Sequence, residues 1–271
     1  MTKARELSDY TGLQGDLALK SPVASPVFTG NVGVGVTPEA WFSNQKALQL
    51  GTTGAALSSD VGAAYYSNNA YRDSGGDWKR VGSGYATRNW QYNGAHYHDV
   101  AASGTADAAI SWNTAMQINN AGIVTKPLQP SFLARMPSGA VAITSSAQAK
   151  FNFNSASWDT NNDFTGSNNR FTAPVAGKYF FQWLIQVENV TTAPNWYYAY
   201  PTVNGGQTYG GANGMTAADQ VEPVNAYGAI KGTQTLNLNS GDYVELSYYW
   251  NVGNGNLKGG GESMWAGHLI G

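Results

Sequence analysis

The 271 residues include 33 glycines and no cysteine, and 13% are aromatic while only 12% are charged, about half the usual globular fraction of roughly 25%. A chain that is 42% hydrophobic with a formal net charge of −2 lacks the low hydrophobicity and high charge of a disordered protein, and 15 Lys+Arg against 17 Asp+Glu leave no basic surface for nucleic acid. The absent cysteines exclude disulfides, thiolate metal sites and cysteine nucleophiles. What remains is a surface of Gly, Ser, Thr, Asn and aromatic groups, suited to neutral sugars or to a close-packed β-assembly.

Residues 1–20 are the most charged stretch and the only one with helical spacing, through Leu7, Leu13 and Leu17. Gly12, Gly15 and Pro22 limit that helix to two or three turns, so it either orders on a partner or frays. Lys3, Arg5, Glu6 and Asp9 interrupt any apolar core, so no signal peptide is expected. The longest apolar stretches, such as Tyr179 to Val187, are too short to span a bilayer, and no membrane insertion is expected. Ser21 to Pro26 reads as an extended linker, because its two prolines bar helix and central strand.

From Val27 the period becomes two. In Gly30 to Pro38 the valines fall on one strand face and the glycines on the other, a pattern for close backbone approach. Ala47-Leu48-Gln49-Leu50 followed by Gly54 recurs as Ala115-Met116-Gln117-Ile118 followed by Gly122. Between the copies, Tyr65 to Trp112 reads as short aromatic strands broken by Gly-Gly, Asn-Asn and Asn-Gly turns. Residues 27–127 are therefore expected to form a β-rich, intertwined shaft that depends on neighbouring subunits. Residues 128–271 show longer strands: Tyr179, Phe181, Trp183, Ile185 and Val187 alternate on one face, and Leu236, Leu238, Val244 and Leu246 flank the Gly241-Asp242 turn. Strands at this spacing favour a sandwich.

Phe153, Asp159, Phe164, Phe171, Gly177, Tyr179 and Phe181 stand at the spacings that mark the C1q/tumour-necrosis-factor-like globular domain, with Trp183 where that family prefers Phe or Tyr. The resemblance covers about residues 128–271. It implies a ten-stranded jelly roll that assembles as a tight trimer and binds ligands through its outer loops. The first half resembles phage tail-fibre and related virion sequences, through Val27-Phe28-Thr29-Gly30-Asn31-Val32-Gly33-Val34-Gly35-Val36-Thr37-Pro38, through Ala115-Met116-Gln117-Ile118 with Gly122-Ile123-Val124, and through the opening Met1 to Leu7.

Three constellations carry candidate chemistry. His96 and His98 in Gly94-Ala95-His96-Tyr97-His98 point the same way on a strand, so six imidazoles from three parallel subunits would converge on a three-fold axis, where six nitrogens suit an octahedral, iron-like transition metal. The spacing is similar to the iron-binding motif of long phage tail-fibre tips; the alternative is that both are ordinary surface groups, and no cofactor is required by the rest of the sequence. The aromatic runs around Trp196 and Trp250 supply candidate receptor contacts, with Trp250, Asn251 and Asn254 entering a Gly/Asn-rich loop and Tyr209 in a second such loop. Most other members of these runs are expected in the core or between subunits. Of the close acidic pairs, Asp159/Asp163 and Asp219/Glu222 lie among turn residues, and no nucleophile triad, phosphate loop or HExxH motif is present, so no enzyme is expected.

The resulting reading is an all-β chain in three parts: a virion-attachment segment and linker at 1–26, a trimeric shaft at 27–127 and a C1q-like head at 128–271. Its expected partners are two further copies, another tail or capsid protein held by residues 1–20, and a host surface glycan or protein; its expected place is the outside of a virion. The rival readings are a structural virion protein without receptor binding and, third, a polysaccharide depolymerase.

Overall fold

In a computed structural model, the described residues are 28–52, 54–143, 148–191, 197–206, 216–217, 224–251 and 253–271. The helix expected within residues 1–20 lies outside them. Every regular element among the described residues is a strand, and the chain divides into two units, Met1–Pro127 and Leu128–Gly271.

The first unit contains β1 (Val32–Val34), β2 (Lys46–Leu50), β3 (Ala55–Asp60), β4 (Ala63–Asn68), β5 (Tyr71–Arg72), β6 (Trp78–Lys79), β7 (Gly84–Tyr92), β8 (Ala95–Gly104), β9 (Asn113–Ile118) and β10 (Val124–Thr125). Eight of them form one sheet in the order β1-β2-β3-β4-β7-β8-β9-β10, with β5 and β6 as a separate hairpin. Only β1 and β2 run parallel. The turns explain the meander: β7 and β8 close on Tyr92 and Ala95 across Asn93 and Gly94, both at positive φ, the conformation of a two-residue Asn-Gly hairpin. The sheet pairs within one chain, with β1 and β10 as its two edges.

The two faces of the sheet differ. Ala47, Gln49, Ala56, Ser58, Ser67, Ala86, Ala95, Asp99 and Ala101 point one way and are buried. Small residues there admit Trp41, Tyr71, Trp78 and Trp112, which form two local clusters with them. Trp90 lies between Tyr65 and Tyr97 with ring centroids 5.8 and 4.2 Å away, an offset ladder across three strands that adds about 0.5–1.5 kcal/mol per pair beyond burial. The opposite face carries Leu48, Leu57, Tyr66, Asn89, His98 and Met116, one from each successive strand by register. Both copies of the repeated template occupy strands second from a sheet edge, turning glutamine to the buried face and aliphatic side chains to the other.

The second unit contains β11 (Ser131–Arg135), β12 (Ala140–Ala142), β13 (Gln148–Lys150), β14 (Ser155–Asp159), β15 (Phe164–Thr165), β16 (Arg170–Thr172), β17 (Gly177–Val190), β18 (Tyr197–Val203), β19 (Thr216–Ala217), β20 (Val224–Leu238), β21 (Tyr243–Trp250), β22 (Asn256–Lys258) and β23 (Met264–Leu269). One sheet runs β12-β22-β17-β23-β11-β14 with β20 also on β17; the other runs β15-β16-β21-β18-β19 with β13 also on β21. From β16 to β18, and again through β20, β21 and β23, the chain crosses from sheet to sheet, the winding of a jelly roll. The core lies between the sheets. Phe132 is its hub, within 5.2 Å of Phe164, 5.0 Å of Phe171 and 4.9 Å of Trp265, and each large side chain so buried contributes about 1.5–3 kcal/mol.

Candidate functional site

Phe153, Phe164, Phe171, Tyr179, Phe181 and Trp183 all belong to that one core. Asp159 serves it from the rim: its carboxylate accepts the backbone N–H groups of Asp163 (3.1 Å) and Phe164 (2.9 Å), closing the loop that delivers Phe164 inward. Burial pushes the neighbouring Asp163 carboxyl above its ordinary value, opposed by the Asn161 side chain. A Cβ at Gly177 would lie 2.7 Å from Leu269 Cδ1, so a larger residue there would have to push that side chain aside. These residues build the fold and present nothing to a ligand.

The receptor assignment of Trp250 is corrected by its burial. The side chain is 1% exposed and packs on Tyr197, 5.2 Å between centroids. Strand β21 continues through Trp250, which pairs with Tyr197 at the end of β18, so the alternation of Val244, Leu246 and Tyr248 carries Trp250 into the core as well. Asn251 is half-buried and Asn254 exposed. The Asn254 side-chain Oδ1 accepts both the backbone N–H (3.2 Å) and the hydroxyl (2.8 Å) of Thr191, a tie between two loops. Trp196 and Tyr209 lie outside the described residues, as do Asp219 and Glu222.

Glu245 is a buried charge that sequence reasoning missed. It alternates away from the core, yet is buried, and its Oε1 receives Lys150 Nζ at 2.8 Å and Arg170 Nη2 at 2.9 Å. Arg170 also lies over the Tyr243 ring at 3.9 Å. One buried carboxylate is thus held between two cations, the pairing that a buried charge needs.

His96 and His98 share the less covered face of the first sheet, as the period of two requires. His98 stands opposite Asn89, and its Nδ1 is 2.7 Å from Asn89 Oδ1. That contact occupies Nδ1 and leaves Nε2 as the ring nitrogen outside it. Around them lie two adjoining furrows of about 230 and 370 Å³ that share Ala64, Gln91 and His96. Among the described residues no group of three or more His, Cys, Asp or Glu side chains is placed to hold a metal. Two imidazoles from one chain fall short of the four to six ligands a transition metal takes, so the rest of the shell would have to come from solvent or from other chains.

No family model matches the sequence, and no curated protein matches it. Among solved structures, the globular domain of the zebrafish complement 1qA protein is similar at 17% identity, over 53% of this chain and 98% of that one, with a TM-score of 0.39. Eiger TNF from S. frugiperda is similar at 11% identity, over 53% and 94%, with a TM-score of 0.38. Murine APRIL is similar at 10% identity, over 52% and 99%, with a TM-score of 0.37.

Proposed function

We propose that this chain is the subunit of a homotrimeric phage fibre of the tail-fibre type. In this reading residues 1–26 engage another virion protein, residues 27–127 form the shaft, and residues 128–271 form a head that binds a host surface component, a glycan. The observation that carries it is the head's motif: the spaced aromatics of the C1q-like pattern form one core in a jelly roll, behind a first unit whose sequence phrases resemble virion fibres. Three copies of a weak site on one assembly gain avidity on a repeated surface polymer, by factors of about 10²–10⁴ over a single copy. The His96 and His98 pairs of three chains supply six nitrogens for a transition metal between subunits.

The burial of Trp250 favours a second reading, because it removes the best aromatic candidate from the receptor surface. In that reading the head trimerises as a structural virion protein and recognises no host component. The experiment is sedimentation of the full chain followed by binding of fluorescently labelled protein to cells of the infected bacterium, with and without removal of their surface polysaccharide. A mass of three chains and polysaccharide-dependent staining support the fibre reading. A trimer that stains no cells selects the structural reading, and a stable monomer overturns both.

A further inference from the structure

We infer that the less covered face of the first unit's sheet is where copies of this chain pack against one another. Val34, Leu50, Leu57, Tyr66, Val100 and Val124 all project from it by strand parity and register, and each is between 41% and 56% exposed. The opposite face of the same strands is buried under Trp41, Tyr71, Trp78 and Trp112. Val34 pairs with Leu50 and Leu57 pairs with both Leu48 and Tyr66, so the exposed apolar side chains of the first four strands adjoin one another, and adjoining exposed apolar surface marks an interaction site.

The chemistry of the face selects its occupant. Lys46 on β2 is the one charged residue at the paired strand positions of this face among the described residues. The other polar groups include Asn89, Gln91, His96 and His98. Side-chain amides such as those of Asn89 and Gln91 both donate and accept, so each can pair with its own copy, whereas a face studded with ammonium or carboxylate groups would repel itself. A second copy therefore meets a complementary surface with almost no like charge to bury. Covalent attachment adds to this: a head that trimerises holds three such faces at high effective concentration, so even a modest face-to-face affinity suffices. The number of copies rests on the trimeric reading proposed above; the identity of the face does not.

The absence of native cysteine gives a clean test. Leu57→Cys and Val100→Cys place the chain's only thiol on the face, and Val61→Cys places it at the β3–β4 turn, where the native side chain is 86% exposed. The full-length variants are sized by sedimentation and then labelled with a maleimide. At a mass of three chains, labelling at 57 and 100 about tenfold or more slower than at 61 is expected, since an interface core excludes solvent. Equal rates at all three positions in an intact trimer overturn the packing face and leave the trimer standing. A mass of two chains with 57 and 100 still protected upholds the face and overturns the three-fold count. A single-chain mass overturns both.

Discussion

Asp99 holds Arg88 in place at the centre of the first unit: its Oδ2 lies 2.8 Å from Arg88 Nε, and the two side chains are 2% and 11% exposed. The guanidinium stands over three indoles, 4.9 Å from Trp78, 5.0 Å from Trp90 and 4.5 Å from Trp112. Asp99 also accepts from Trp90 Nε1 and Thr114 Oγ1, both at 2.8 Å. Burial lowers the Arg88 pKa and the Asp99 contact opposes that shift, so the cation is tolerated because its counter-charge is fixed. A unit with only small apolar clusters uses this charged group and its aromatic surround as the equivalent of a core.

Removing Asp99 should therefore unfold the first unit preferentially. Asp99→Ala leaves a buried, uncompensated guanidinium, a loss of about 3–5 kcal/mol. Urea titration followed by tryptophan fluorescence would read it as a lowered midpoint for the first unit's transition. A change below about 0.5 kcal/mol, the range of ordinary surface substitutions, would show that Arg88 is solvated and that the cage does not hold the unit together.

Trp250→Ala should behave as a core truncation in the second unit. Loss of a fully buried tryptophan costs about 3–5 kcal/mol, whereas Asn254→Ala removes the exposed tie to Thr191 and should cost less, about 0.5–1.5 kcal/mol for each hydrogen bond that contributes. Comparing the two by thermal unfolding shows whether Trp250 carries the larger, core-sized share. A Trp250→Ala protein as stable as its parent would return the residue to the receptor surface.

The alternation from Tyr179 to Val187 was legible because a sheet with one buried face repeats every two residues, and the structure buries all five apolar members. The same parity, carried from Val244 and Leu246 to Tyr248 and Trp250, contained the answer for Trp250. The adjacent Gly/Asn-rich loop masked it, since the end of a strand is the least determined part of a sequence reading. Glu245 was not legible: its partners Lys150 and Arg170 come from β13 and β16, 95 and 75 residues earlier, and only the folded register brings them together. His96 and His98 were legible as neighbours on one face, but whether that face is covered depends on the β5–β6 hairpin and the tryptophans that occupy the other.

Acid should loosen the β20–β21 turn. The Asp242 carboxylate accepts from Asn204 Nδ2 at 2.8 Å and from the Asn239 backbone N–H at 2.7 Å, and these bonds hold its pKa below the ordinary 3.8. A depressed native pKa stabilises the fold above the unfolded value and is withdrawn as pH falls through the native one. The head's melting temperature should thus fall on acidification below the ordinary value, and Asp242→Asn should flatten that part of the profile. An Asp242→Asn profile that superimposes on the parent's would exclude this carboxylate as a source of the acid sensitivity.

Metal content tests the histidine pair. With Nδ1 of His98 committed to Asn89, Nε2 is the available ligand atom, and His96 presents its exposed ring two residues away on the same face. Untagged protein purified as the trimer should carry a transition metal in a ratio of about one ion to three chains, with six imidazole nitrogens as octahedral ligands. His98→Ala should abolish it. Asn89→Ala should weaken metal retention by about 10–100-fold while leaving both ligands in place, because the partner that fixes the ring's tautomer and orientation is gone. Elemental analysis that finds no transition metal in the untagged trimer removes the metal reading, and the packing of the face must then rest on its apolar row and neutral polar groups alone.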